Sequence, residues 1–174
     1  MKVQLTSLLI GVTVVAFGAT ASLANDKRKR EEVVSAKLVG IQEVPALSTP
    51  ARGRFRAVID EDSGMITYTV SYENLVGLVQ QSHIHFGQKG VNGGISVFLC
   101  SNLGNGPAGT PACPASPAEV TGTFTSAAII GPATQGIAAG ELSELIEAIR
   151  SGVAYANVHS TVYPAGEIRG QIHD

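Results

Sequence analysis

Between Gly53 and Tyr72 the chain alternates in character at every second residue. In GRFRAVID, Phe55, Ala57 and Ile59 interleave with Arg54, Arg56 and Val58. In MITYTVSY, Ile66, Tyr68, Val70 and Tyr72 interleave with Thr67, Thr69 and Ser71. Successive side chains of a strand point to opposite faces, so each run has one face to bury and one to leave in water. A helix built on this pattern would spread its apolar residues around its whole circumference. The intervening EDSG (61–64) is a turn signal, so the two runs form a hairpin.

The same reading places strands over Val33–Ile41, Val79–Phe86, Ile95–Leu99, Glu119–Thr125, Val153–His159 and Glu167–Ile172. About eight short strands separated by turn formers predict a mainly β domain, an antiparallel sandwich of immunoglobulin-like or Greek-key type. One segment departs from the period. GELSELIEAIRSG sets Leu142, Leu145, Ile146 and Ile149 at helical spacing, with glutamates early, Arg150 late and Gly152 as a stop. A single amphipathic helix of about three turns is expected to cover one end or edge of the sandwich.

The chain opens with MKVQLTSLLIGVTVVAFGATASLA: one positive charge, an apolar run from Leu8 to about Phe17, then small residues. That order is a secretory signal peptide over residues 1–24, its apolar core too short for an anchor. A charged, flexible segment is expected over 25–32 and the folded domain over 33–174. The protein is then exported, secreted or periplasmic, with no transmembrane segment once the signal is removed. Beyond DKRKREE there is no basic stripe interleaved with aromatics, which excludes nucleic acid as a partner. Cys100 and Cys113 flank SNLGNGPAGTPA, a run of turn formers with no apolar period. In an exported protein such a pair reads as a disulfide pinning a loop that cannot pin itself.

Several stretches carry a family resemblance. VGIQEVPALSTPARGRFRAVID, SHIHFGQKGVNGG, and the helix leading into GVAYANVHSTVYPAGEIRGQI occur in an order that resembles the chordin-type domain, CHRD. The likeness runs from about Ala36 to Ile172. It implies a β-sandwich-like domain of the kind found in animal chordins and in many bacterial exported proteins, whose activity is mostly unassigned. The growth-factor binding of chordins resides in cysteine-rich modules that this sequence lacks.

Chemistry gathers at the histidines. His83 and His85 are two apart in a strand and share a face with Gln81. If YANVHSTVYPAGEIRGQIHD turns near Tyr163-Pro164, paired positions set His159 opposite Glu167, Asn157 opposite Arg169 and Tyr155 opposite Gln171. Should the two faces meet, His83, His85 and His159 offer three neutral imidazoles and an open coordination position. That suits one copper or zinc ion, the divalent affinity order favouring copper. Glu167 is the expected acceptor that orients His159. Arg169 is expected in a structural ion-pair network with Glu167 and Glu43. His173 falls opposite Val153, about 20 Å along the strand from His159, and is left out.

Two functions stay open. One is an exported binding module with a mononuclear Cu or Zn site. The other is a non-catalytic adhesion or scaffold domain that presents polar loops to a protein or glycan and binds no metal. No catalytic residues are assigned. His-x-His before Phe-Gly faintly resembles copper/zinc superoxide dismutase, but four histidines in all are too few for its two metals. A mononuclear copper redox site is the lesser enzymatic alternative.

Overall fold

The computed structural model describes residues 31–174. The expected signal peptide, and residues 25–30 of the expected charged segment, lie outside the described residues. Eight strands are formed: β1 (Glu31–Val39), β2 (Arg52–Asp60), β3 (Met65–Glu73), β4 (Val79–Phe86), β5 (Gly94–Ser101), β6 (Ala118–Phe124), β7 (Ala154–Ser160) and β8 (Ile168–Gln171). Each begins and ends within two residues of its expected place. Strand β1 starts two residues before Val33, because Glu31 and Glu32 already pair with Asp60 and Ile59.

All neighbouring pairs are antiparallel and belong to one sheet in the order β5-β4-β7-β8-β1-β2-β3-β6. The edge strands β5 and β6 touch, so the sheet curls almost into a barrel. Strand twist drives this shape, because a twisted eight-stranded sheet that buries one face closes on itself. The expected mainly β, antiparallel domain is formed, as one continuous, nearly closed sheet. Its interior takes the apolar parity: Val34, Ala36 and Leu38 from β1; Phe55, Ala57 and Ile59 from β2; Ile66, Tyr68 and Val70 from β3; Ile84, Val97, Ala156 and Ile168 from the rest. Tyr68 crosses this core and donates its hydroxyl to the Leu99 carbonyl at 2.6 Å, tying β3 to β5.

Helix α1 (Leu142–Arg150) packs one end of the curled sheet, with Leu142, Leu145, Ile146, Ala148 and Ile149 buried among core residues. Gly152 stops it in the left-handed conformation, φ 67°, which a residue with a side chain resists. Arg150 bonds Glu32 on β1 and Glu61 in the β2–β3 turn, so the last turn of α1 is strapped to two strand ends. Cys100 and Cys113 are joined, their Cα atoms 5.1 Å apart. Inside that loop, Asn102 bonds the Val79 carbonyl and the Cys113 amide and carbonyl. No described helix is long and apolar enough to cross a membrane.

Leu145 is wholly buried where α1 closes the sheet. Leu145→Ala is expected to lower unfolding free energy by about 2–5 kcal/mol, the usual cost of a leucine-to-alanine cavity. Urea titration followed by circular dichroism measures it, and a loss below about 1 kcal/mol would mean that α1 does not hold the core shut.

Candidate metal centre

Strand β7 is buried at all seven positions, which means the sheet is covered on both faces here. One face is the apolar interior. The other carries Tyr155, Asn157 and His159, with His83 and His85 beside them on β4 and Arg169 on β8. The register is the one the hairpin parity demands: Asn157 opposite Arg169 and Tyr155 opposite Gln171. On the other side of β7, Gln81 lies opposite His159, His83 opposite Asn157, and His85 opposite Tyr155. His83 and His159 are therefore diagonal neighbours on adjacent strands, close enough for their rings to touch.

The covering layer comes from two connections. The β4–β5 loop folds back so that Gly93 reaches the end of β4, and a Cβ at residue 93 would collide with the Phe86 carbonyl. Only glycine permits this approach, and it delivers two bonds: the Gly93 carbonyl to His85 Nδ1 at 3.0 Å, and its amide to the Tyr155 hydroxyl at 3.2 Å. The segment after β1 supplies Val44, whose carbonyl accepts from Asn92, and Glu43, whose carboxylate lies against Gly166.

Three imidazoles converge under this cover. One ring nitrogen from each of His83, His85 and His159 lies within 4.8 Å of the others, and none of the three residues is more than 7% exposed. Backbone carbonyls set the tautomers, since they can only accept and cannot be turned around as an Asn amide can, so an N–H faces each of them. His85 Nδ1 donates to Gly93 and His159 Nδ1 donates to Pro164, both at 3.0 Å. His159 Nε2 is then a lone pair, and it accepts from His83 Nδ1 at 3.1 Å. His83 Nε2 and His85 Nε2 are then unprotonated, and both are buried without a hydrogen-bond partner. Orphaned lone pairs of this kind are uncommon in a protein interior and point to a ligand or a site with a task.

Aromatic walls hold the rings. Phe98 meets His83 edge-on with centroids 4.4 Å apart, and Tyr155 stacks parallel to His85 at 4.8 Å. The Arg169 guanidinium lies 3.5 Å over the Tyr155 ring, approaching from β8 while His85 approaches from β4. These environments keep the imidazoles neutral. Burial holds His83 down to about 2, with His159 and His85 adding to the effect. Burial lowers His85 to about 4, opposed by the Gly93 carbonyl and reinforced by His159 and Arg169. His159 is lowered by burial as well, against the pull of Pro164. Burial also pushes Glu43 up to about 7, in spite of the Arg169 charge nearby.

Two expected roles are filled differently. Glu167 does not orient His159: its Oε1 accepts from the Thr49 hydroxyl and the Val76 amide, both at 2.8 Å, and Pro164 holds His159 instead. The carbonyl of the tight 160–166 turn reaches His159 first, because it lies only five residues away in the chain. Nor does Arg169 pair with a carboxylate in direct contact. Its bonds go to Asn92 Oδ1 and the Val91 carbonyl, and Glu43 acts on it through space. His173 is exposed and bridges to Ser35, away from the cluster. Tyr155, Gly93 and Phe98 were not singled out from sequence. Tyr155 alone left a signal, since it shares parity with Asn157 and His159.

Three nitrogens bound to one ion at 2.0–2.1 Å with tetrahedral angles would stand roughly 3.3 Å apart. The observed nitrogens, within 4.8 Å of one another, stand wider than this, so the rings would have to turn inward to share one ion. Its donor set, three neutral imidazoles with two Nδ1–H groups pinned by backbone carbonyls, could hold a metal ion. The model described as CHRD domain matches residues 34–172. No curated protein and no solved structure matches the chain.

Two predictions follow from this geometry. Gly93→Ala should cost about 1–3 kcal/mol, since the loop must lift to relieve the clash; an unchanged urea midpoint would show that the close approach is dispensable. The second concerns pH. The unfolded chain protonates its histidines near 6.5 while the folded protein excludes those protons, so their contribution is complete above 6.5 and falls as pH drops toward 4. Glu43 acts oppositely, stabilising below about 4.5 and ceasing to do so as pH rises through about 7. Three imidazoles outweigh one carboxyl, so the urea midpoint should fall between pH 6.5 and 4.5, with a net uptake of about two protons on unfolding. A midpoint that rises over that window would contradict neutral burial of the histidines.

Proposed function

Because the chain belongs to the CHRD domain family, we propose that it is an exported binding module that holds one copper or zinc ion through His83, His85 and His159. The observation that carries this reading is the pair of bare lone pairs, His83 Nε2 and His85 Nε2, buried beside a third imidazole. Burying three neutral imidazoles, two of them with unmet acceptors, costs stability, and a bound ion converts that cost into affinity. Export is supported by the N-terminal apolar run ahead of small residues. The Cys100–Cys113 bridge also fits an oxidising compartment.

In this function the backbone carbonyls of Gly93 and Pro164 aim the rings, and Phe98 and Tyr155 restrict their rotation. The Asn157 side-chain amide lies beside that ring, 3.0 Å from His159 Nε2. The ion would supply a redox-active or Lewis-acidic centre. Among the described residues no nucleophile–base pair stands out beside it, and holding an ion is the reading favoured over turning over a substrate.

The test is a titration of the chain from residue 25 onward, disulfide intact, with Zn(II), Cu(II), and Cu(I) under ascorbate. One equivalent of at least one ion should bind. His159→Gln and His85→Gln should each weaken binding on the order of 100-fold, in line with loss of one of three ligands. His173→Ala should leave it unchanged. Far-ultraviolet circular dichroism confirms that the variants are folded. If none of the three ions binds, or if His159→Gln binds like the parent, the histidines are a structural layer and the domain works as a metal-free scaffold.

A further inference from the structure

The observations around the cluster carry a choice of oxidation state. We infer that the three-histidine site selects monovalent copper, Cu(I), over Cu(II) and Zn(II). This rests on the metal-binding reading above and goes beyond it.

Charge is the first ground. The donors are three neutral imidazoles, and no carboxylate or thiolate joins them among the described residues. Whatever charge an ion brings stays on it, in a pocket where all three ligands are buried. The cost of burying an ion grows with the square of its charge, so a divalent ion suffers about four times the penalty of a monovalent one. The environment adds a bias of the same sign. The Arg169 guanidinium lies over Tyr155, and that ring stacks on His85, so a fixed positive charge stands one aromatic ring away from a ligand. Its repulsion acts twice as strongly on a divalent ion. Glu43 faces Arg169 from the segment after β1, and burial weakens its charge, so it offsets this field only in part. Glu167 is turned away, committed to Thr49 and Val76.

Coordination number is the second ground. Cu(II) seeks four or more donors in a tetragonal array, and Zn(II) seeks four in a tetrahedron. Here three nitrogens lie on one sheet face, and the nearest further donor is the neutral amide oxygen of Asn157. Phe98 and Tyr155 wall the rings and restrict entry of water as a fourth ligand. A three-coordinate, all-nitrogen site satisfies Cu(I) and leaves either divalent ion short.

Competition measurements decide it. The disulfide-intact chain from residue 25 is equilibrated anaerobically with Cu(I) against bicinchoninate, and separately with Cu(II) and Zn(II) against nitrilotriacetate. Cu(I) should be held on the order of 100-fold or more tightly than either divalent ion. X-ray absorption of the Cu(I) form should show three nitrogen ligands. Arg169→Gln should narrow the Cu(I)/Cu(II) ratio about tenfold, and the charge-retaining Arg169→Lys should preserve it. If Cu(II) or Zn(II) binds the parent protein as tightly as Cu(I), the selectivity is overturned while the metal site stands. If no ion binds, both fall.

Discussion

The pairing of β4 and β8 on either side of β7 is the constraint from which the rest of this structure follows. It makes β7 a central strand covered on both faces, so each of its side chains must satisfy either an apolar interior or a dry polar layer. Ile84, Ala156, Val158 and Ile168 take the interior, and that commitment locks the register. A slip of one residue would drive His83, His85, Asn157, His159 and Arg169 into the hydrocarbon core and expose the aliphatic set. The polar cluster is thus held in place by residues that never touch it.

Burial of that polar layer creates the second constraint. A buried imidazole or guanidinium has to find partners within reach, and here they come from loops. The β4–β5 connection contributes Val91, Asn92 and Gly93, and the turn after β7 contributes Pro164. Gly93 has no side chain because its neighbour's carbonyl occupies the space. Among the described residues, the buried side-chain atoms without a partner are the two imidazole nitrogens, one oxygen each of Glu43 and Glu167, and the Ser96 hydroxyl. Two of those atoms are neighbouring imidazole nitrogens beside a third ring, an arrangement that distinguishes a site from ordinary packing.

Much of the fold was legible because the sequence is locally consistent. Phe55, Ala57 and Ile59 on β2 and Ile66, Tyr68 and Val70 on β3 keep strict alternation, and the strands fell where that alternation placed them. Leu142, Leu145, Ile146 and Ile149 keep helical spacing, and they form the buried stripe of α1. Parity alone put His83 with His85 and, through the turn near Tyr163, set Asn157 against Arg169. The joining of all strands into one curled sheet was not legible, because pairing between distant strands depends on twist and on the whole set of core side chains. The partners of Glu167 and Arg169 were equally hidden. Residues 2 apart on a strand share a face, but which loop descends on them is decided from Thr49, Val76 and Asn92, far away in the chain.

By itself, then, the sequence determined the strand set, the helix, the cysteine pairing and the identity of the three histidines, since each rests on periodicity or on spacing within a short segment. Only the tertiary structure decided that the histidine face is buried, which tautomers its rings adopt, and which lone pairs remain unmet. Those properties depend on desolvation and on hydrogen-bond partners brought together from opposite ends of the domain, and neither leaves a trace in local sequence order.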